Sequence, residues 1–262
     1  IGASGTYLTD TFFNPVRAVA LMKREGVTAM WPWFPAILQP LLDQPDFVAA
    51  TEKVRSMLLI GPEALVDRVQ KLLPKAEIMQ ACGMTETSGI FALSDPDETP
   101  QQRATSNGKA VPGIELRIDG NGADVPPDTV GEIWVRGHCV MEGYYRDPVK
   151  SAEALDADGW LHTGDLYTRS ADGRLIFNGR AKDMLKVGGE NVAAIEVEAY
   201  LCSHPAVRIA EVVGRPDPRL DEVPVAFVEL MPGSAASADE LIAHCRGRIA
   251  GYKVPRAVHF VK

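Results

Sequence analysis

The chain has 262 residues, of which 46% are hydrophobic and 24% charged, with a formal net charge of −8. This is ordinary globular composition, enough for one large domain or one medium and one small. The acid excess argues against non-specific nucleic-acid binding, which needs clustered Lys and Arg, and Cys82, Cys139, Cys202 and Cys245 lack any Cys-x-x-Cys spacing, against a zinc site or a disulfide framework.

Reducing, cytoplasmic surroundings suit such cysteines. No apolar run approaches the ~20 residues that span a bilayer. The opening Ile1-Gly2-Ala3-Ser4 has neither an initiator Met nor a signal pattern, and reads as a chain entered in its middle.

Asn14-Pro15 predicts a helix start, with Asn as N-cap and Pro at the first helical position. Val16, Val19 and Ala20 offer an apolar face, and Gly26 is placed to end the helix. Val27 to Met30 reads as a short buried strand, after which two prolines in Trp31-Pro32-Trp33-Phe34-Pro35 forbid a regular ladder. A second helix is expected from Glu63 to Leu73, so the first 110 residues read as α/β.

From Gly113 the texture changes. Gly113–Ile118 and Gly131–Arg136 alternate apolar and polar residues, and Arg174–Phe177 is a third short strand. Turn clusters at 119–122 and 171–173 separate them, which suggests a small barrel or a distorted sheet. Beyond Asp183 come a helix from Val192 to Cys202 and strands at Ile209–Val213 and Val225–Leu230. A capping box at Ser237–Glu240 opens a helix that buries Leu241, Ile242, Cys245 and Ile249 and stops at Gly251. This last stretch reads as an α+β domain of about 80 residues, near the lower end of self-supporting size.

Four clusters could carry chemistry. In Gln80–Thr87, a Gly followed by Thr85 and Glu86 could present backbone amides and a hydroxyl to phosphate and a carboxylate to Mg²⁺. Thr-Glu by itself suits a helix start better. In Gly159–Asp165, an Asp after a rigid Thr-Gly turn suits a grip on two ribose hydroxyls, although an Asp satisfying its own turn is the blander account. His162 has no partner in sequence and receives no catalytic role. In Gly179–Asn191, Gly188 and Gly189 permit close backbone approach by a ligand, while Arg180 and Lys186 offer cations to ribose, phosphate or carboxylate oxygens. An exposed basic loop is the alternative there. Leu59–Leu65 is a strand entering a Gly turn and a helix, which could line an adenine pocket or simply be a turn.

Order and spacing are more specific than any one cluster. Gly83-Met84-Thr85-Glu86, Gly131–Gly137, Gly143-Tyr144-Tyr145, Gly159–Asp165, Gly179–Asn191, His204–Val207 and Gly251–Arg256 together resemble the adenylate-forming (AMP-binding) superfamily, which includes acyl-CoA synthetases and peptide-synthetase adenylation domains. The resemblance covers essentially the whole chain. It implies the remainder of a large α/β domain (residues 1–182, with an α/β layer to about 110 and a barrel-like subdomain over 111–182) and a small, mobile, truncated α+β domain (183–262).

It also implies an acid–thiol ligase that makes acyl-CoA from a fatty or aryl carboxylic acid through acyl-AMP, using ATP, Mg²⁺ and coenzyme A. Gly83, Met84 and Thr85 would meet the phosphates, Thr85 at the α-phosphate, and Glu86 would hold Mg²⁺. Asp165 and Arg180 would hold the ribose beside Phe177, and Gly61, Pro62 and Glu63 would line adenine. Asp183 would be the hinge. Lys186, Gly188 and Gly189 would form a loop that enters the site for thioester formation. Trp31, Trp33, Phe34 and Leu38 fall in a stretch that commonly lines the acyl pocket.

Two other readings are an adenylation domain that loads a carrier protein and a nucleotide-binding module without catalysis. Peripheral membrane contact and a homodimer are left open. Departures from the family pattern are the missing upstream phosphate loop and the missing Lys after the Pro-Arg region, which imply a fragment inactive alone. Further departures are Ala193-Ala194 for the usual Ser/Tyr-Pro pair, and Cys82 where an aromatic residue usually stacks on adenine.

Overall fold

The computed structural model describes residues 5–120 and 122–261. The opening Ile1–Ser4, Asn121 of the 119–122 turn and the final Lys262 lie outside the described residues. The chain divides into two compact units, the first comprising the described residues up to Ala81 with Asp95–Ala104, the second Cys82–Ser94 with the residues from Thr105 onward.

The first unit runs α1 (Pro15–Glu25), β1 (Ala29–Trp33), α2 (Pro35–Leu42), α3 (Phe47–Ala50), β2 (Ser56–Leu59), α4 (Glu63–Leu72), β3 (Glu77–Met79) and α5 (Pro100–Thr105). Its strands form a parallel sheet in the order β1-β2-β3. Asn14 caps α1 by accepting from the Arg17 N–H at 3.0 Å, and Gly26 closes it in the left-handed region. The buried stripe differs from the expected one: Val19 packs inward with Ala18 and Met22, whereas Val16 and Ala20 are exposed. At 100° per residue, Val19 and Met22 share one side of the helix and Val16 and Ala20 are rotated off it. The first strand starts two residues later than expected and runs through Pro32, where its register with β2 shifts and Trp33 takes φ 60°. Leu38, Phe47, Met57, Leu59, Val69 and Ile78 are nearly or wholly buried in the core of this unit. Leu38 is thus plain core, while Trp31, Trp33 and Phe34 are exposed.

The second unit contains β4 (Ala81–Met84), β5 (Gly89–Leu93) and β6 (Lys109–Ala110) in one small sheet. A second sheet comprises β7 (Ile114–Gly120), β8 (Ala123–Asp124), β9 (Val130–Gly137), β10 (Leu161–Arg169) and β11 (Leu175–Arg180), with α6 (Pro148–Ala154) inserted before β10. It is antiparallel in the order β11-β10-β9-β7-β8. The alternation seen in sequence is its inward face: Ile118, Ile133, Val135, Leu161 and Leu175 are almost wholly buried, together with Phe91.

The remainder is β12 (Met184–Val187), β13 (Glu190–Ala193), α7 (Ala194–Cys202), β14 (Val207–Asp217), β15 (Asp221–Leu230), α8 (Ala238–Cys245) and β16 (Ala257–Phe260). Their sheet has the order β13-β12-β15-β14, with β16 added parallel to β15. Val197 and Leu201 of α7 and Leu241 and Cys245 of α8 are buried with Val192, Ala226 and Val228. The capping box forms in full at Ser237 and Glu240. Both long strands exceed their expected bounds, β14 at each end and β15 at its start, and two helix boundaries also differ. Residues 192 and 193 belong to a hairpin strand, so α7 starts at Ala194. Helix α8 stops at Cys245, well before Gly251, because Arg246 turns extended and Gly247 takes φ +70°.

Candidate adenylate site

The Thr85–Glu86 motif sits in a 3₁₀ turn over Thr85–Thr87, directly after β4. Thr87, fully buried, holds the turn: its hydroxyl oxygen accepts from the Met84 N–H at 3.2 Å, and its O–H is shared between the carbonyls of Met84 and Gly89, each at 3.0 Å. Gly83 is needed for close approach, because a Cβ there would lie 1.9 Å from the Gly89 carbonyl oxygen. Thr85 is exposed at the head of the turn. Glu86 accepts through Oε1 from the Tyr144 hydroxyl at 2.9 Å. That bond and the adjacent carboxylate charge push the Tyr144 phenol above its ordinary pKa, so it stays a donor at neutral pH.

Asp165 lies in a bulge where β10 shifts register against β9 between His162 and Leu166. Thr163 donates to the Ile133 carbonyl at 2.7 Å and accepts from the Asp165 N–H at 3.0 Å. Glu132 accepts from the Gly164 N–H at 2.7 Å. The bulge thus turns the Asp165 carboxyl toward β11, where Arg180 is its register partner. The guanidinium Nε of Arg180 is 3.0 Å from Oδ1 of Asp165. Apart from this charge-paired contact, the buried Oδ1 has no hydrogen-bond partner among the described residues. Burial pushes the Asp165 carboxyl above its ordinary value; Arg180 works against that, while Glu132 and Asp183 add to the rise.

The structure therefore brings Asp165, Arg180 and Phe177 together at the end of one hairpin. Phe177 packs on Tyr167, ring centroids 5.2 Å apart. Cys82, three residues before Thr85, directs its thiol to the Asn107 carbonyl at 3.9 Å and lies within electrostatic reach of Tyr167 and Asp165. This relates the Thr85 turn to the Asp165 pair. Cys82 itself is 3% exposed and its thiol is pushed up to about 12 by burial, so it is a core group with no face to offer a base.

A cleft of about 530 Å³ adjoins the same hairpin, lined by Phe177, Arg180, Lys182 and Asp183 on one side and by Glu198, Glu211 and Glu222 on the other. Its lining does not include Thr85, Lys186, Gly188 or Gly189. Lys186 is the exposed residue of β12; its N–H donates to Glu222 at 2.9 Å and its ammonium to the Asn191 side chain. Gly188 and Gly189, at φ +60° and +87°, form the two-residue turn between β12 and β13, a conformation that only glycine takes freely at both positions. Burial raises the Glu198 carboxyl to about 7, with Glu211 and Asp183 adding to the rise against a 2.9 Å hydrogen bond from the Val212 N–H.

Gly61, Pro62 and Glu63 belong to the first unit. Pro62 precedes α4 in extended conformation, Glu63 opens the helix, and the Gly61 N–H donates to Gln80 at 3.2 Å. Gln80, 3% exposed, also donates to the carbonyls of Arg103 and Ala104, and so fixes this turn. Sequence reasoning missed Gln80, Glu132 and Tyr144. All three lie inside motifs already singled out, but no role could be given to them there, since each acts on residues 19 or more positions away.

The residues fit a nucleotide on two counts: a buried carboxylate oxygen with an unused acceptor position, and an adjacent guanidinium. For Mg²⁺ they supply one carboxylate, Glu86, whose Oε2 has no partner among the described residues. No group of three or more His, Cys, Asp or Glu converges as a metal cage among them. A single carboxylate is consistent with Mg²⁺, which is usually held by one or two carboxylates, substrate phosphates and water.

Comparison with known proteins accords with this geometry. The AMP-binding enzyme model matches residues 1–145 and the AMP-binding enzyme C-terminal domain model residues 196–262. The chain is 38% identical over 98% of its length to the 3-[(3aS,4S,7aS)-7a-methyl-1,5-dioxo-octahydro-1H-inden-4-yl]propanoyl:CoA ligase of Rhodococcus jostii, covering 48% of that protein. It is 34% identical over 97% of its length to the mitochondrial medium-chain acyl-CoA ligase ACSF2 of Macaca fascicularis, covering 42% of it. Among solved structures, the o-succinylbenzoate CoA synthetase MenE of Bacillus subtilis, in complex with its acyl-adenylate intermediate, superposes with TM-score 0.80 at 31% identity, over 95% of this chain and 50% of that one. The chain spans about half the length of the curated relatives it matches. With both models matched in chain order, this chain belongs to the AMP-binding enzyme family.

Proposed function

We propose that the protein containing this chain is an ATP-dependent acid–thiol ligase that converts a carboxylic acid to its CoA thioester through an acyl-adenylate. The observation that carries the reading is the Asp165 carboxyl, buried behind a bulge, with an unused acceptor oxygen beside Arg180. Such a carboxylate suits two vicinal ribose hydroxyls as donors. The names of the relatives support the rest: two are CoA ligases and one structure holds an acyl-adenylate.

In this reading Asp165 and Arg180 orient the ribose, Phe177 packs beside the nucleotide, and Gly61, Pro62 and Glu63 line adenine. Gly83, Met84 and Thr85 face the phosphates, and Thr85 donates to the α-phosphate while Glu86 holds Mg²⁺, which supplies charge neutralisation there. The substrate carboxylate attacks the α-phosphorus, pyrophosphate leaves, and the CoA thiol then displaces AMP. The two steps need different groups around one adenylate, so residues 183–262 move about Asp183 between them and carry Lys186, Gly188 and Gly189 to the site. A medium-chain fatty acid or a cyclic propanoate is the expected class of acid, by analogy with the named relatives.

The test is ATP–pyrophosphate exchange by the full-length protein with a panel of acids, followed by CoA consumption. Exchange and CoA consumption with the same acid support the ligase. Exchange without CoA consumption points to delivery to a carrier protein, and AMP binding without exchange to a non-catalytic module. Asp183→Pro is expected to slow the thioester step about tenfold more than exchange; equal losses remove the hinge assignment.

A further inference from the structure

Two consecutive tyrosines follow Gly143, and their environments differ. Tyr145 is 85% exposed, with Arg146 over its ring. Tyr144 reaches back across 58 positions to place its hydroxyl 2.9 Å from Oε1 of Glu86. This is one of three ties between the same two segments. The Met141 N–H donates to the Glu86 carbonyl at 2.8 Å, and the Ser88 hydroxyl donates to the Cys139 carbonyl at 2.9 Å.

Tyr144 is held in turn. Its N–H donates to the Ser151 hydroxyl oxygen at 2.8 Å, and that hydroxyl donates to the Asp147 carbonyl at 2.7 Å, on the first turn of α6. Asp147 caps the helix by accepting from the Lys150 N–H at 3.0 Å. Gly143 leaves room for this arrangement: a Cβ there would lie 2.9 Å from Ser151 Oγ. The network therefore runs from a capped helix through Ser151 and Tyr144 to one oxygen of one carboxylate.

We propose that Tyr144 is a positioning residue that clamps Oε1 of Glu86, so that the unpartnered Oε2 is presented to a divalent cation. The inference rests on the reading of Glu86 as the Mg²⁺ ligand and adds the residue that orients it. The physical reason is the one that governs metal ligands generally. A flexible glutamate holds a cation well only when a hydrogen bond fixes its rotamer, and loss of such an outer partner typically costs about 10–100-fold in metal affinity or activity. The Tyr144–Glu86 pair is exposed to solvent, which places the expected effect near the lower end of that range.

The test uses the full-length protein and titrates Mg²⁺ in calorimetric ATP binding, with AMP binding in the absence of metal as the second readout. Tyr144→Phe is expected to raise the half-saturating Mg²⁺ concentration about tenfold while leaving metal-free AMP affinity unchanged. Tyr145→Phe is expected to change neither. A Tyr144→Phe shift below about twofold, or an equal shift from Tyr145→Phe, overturns the clamp. Should Tyr144→Phe unfold, Ser151→Ala carries the test, with a smaller shift in the same direction expected and no shift counting against the network. Glu86→Gln separates the two readings. If it keeps the wild-type Mg²⁺ dependence, Glu86 is not the ligand and the functional assignment fails. If it abolishes that dependence while Tyr144→Phe does nothing, only the clamp fails.

Discussion

Two half-buried acids flank the segment from Phe177 to Asp183, and they have been given opposite company. Asp165 faces Arg180 at 3.0 Å, and the guanidinium opposes the effect of burial on its carboxyl. Glu198 has one backbone N–H, from Val212, and otherwise meets other acids, so its carboxyl rises to about 7. Asp183 adds to the rise of both. Burial alone therefore does not mark a ligand-binding acid. A carboxyl kept charged by a cation, yet with an acceptor position unused, is equipped to take hydroxyl donors; one without a cation gives up its charge near neutrality.

The comparison can be broken at each carboxyl. The largest effect is expected from Asp165→Ala in the full-length protein, which should weaken ATP binding about 10–100-fold, as for hydrogen bonds to a charged group; unchanged affinity in a calorimetric titration removes the ribose assignment. Arg180→Gln should cost several-fold and should also change the pH profile. Without the guanidinium the Asp165 pKa rises further, so the loss of ATP affinity on acidification should begin at higher pH than in wild type. A parallel profile would show that Arg180 does not govern this carboxyl.

The smallest effect concerns Glu198. Its folded pKa of about 7 exceeds its ordinary value of 4.5, so the folded chain binds this proton more tightly. The stability contributed is fully present below the unfolded pKa and is lost as pH rises through about 7. Glu198→Gln keeps an acceptor for the Val212 N–H but cannot ionise. Allowing about 1 kcal/mol after solvent screening, its Tm relative to wild type should be about 2–4 °C better at pH 8 than at pH 5. An offset independent of pH would disprove the shift.

What could be read from sequence was what is decided within a few residues. Asn14-Pro15 with Gly26, and Ser237 with Glu240, bound their helices by contacts spanning no more than four positions, and both caps form. The strands of the β7–β11 sheet announced themselves by alternation because one face is buried. The family was legible because its motifs keep their order along the chain. The remainder depended on distant partners. Nothing near Val16 says that its side of α1 is the exposed one, and nothing near Glu86 names Tyr144. Gly188-Gly189, read as a loop that a ligand could approach closely, forms a hairpin turn, a demand on φ that glycine also meets. Helix α8 gives way at Arg246 and Gly247, short of Gly251, a choice between nearby stop signals that the sequence leaves open.

The contact between Gly83 and Gly89 sets a limit on how this turn can be redesigned or can drift. The backbone at 83 passes so close to a carbonyl that a single methyl group would overlap it at 1.9 Å. No rotamer change relieves that, since the obstacle is main chain. Substitution is therefore closed at 83 by the fold itself, whereas the side chain of the neighbouring Thr85 stands exposed. Saturation libraries across this loop should return glycine alone at the first position and a broad set of folded variants at the second.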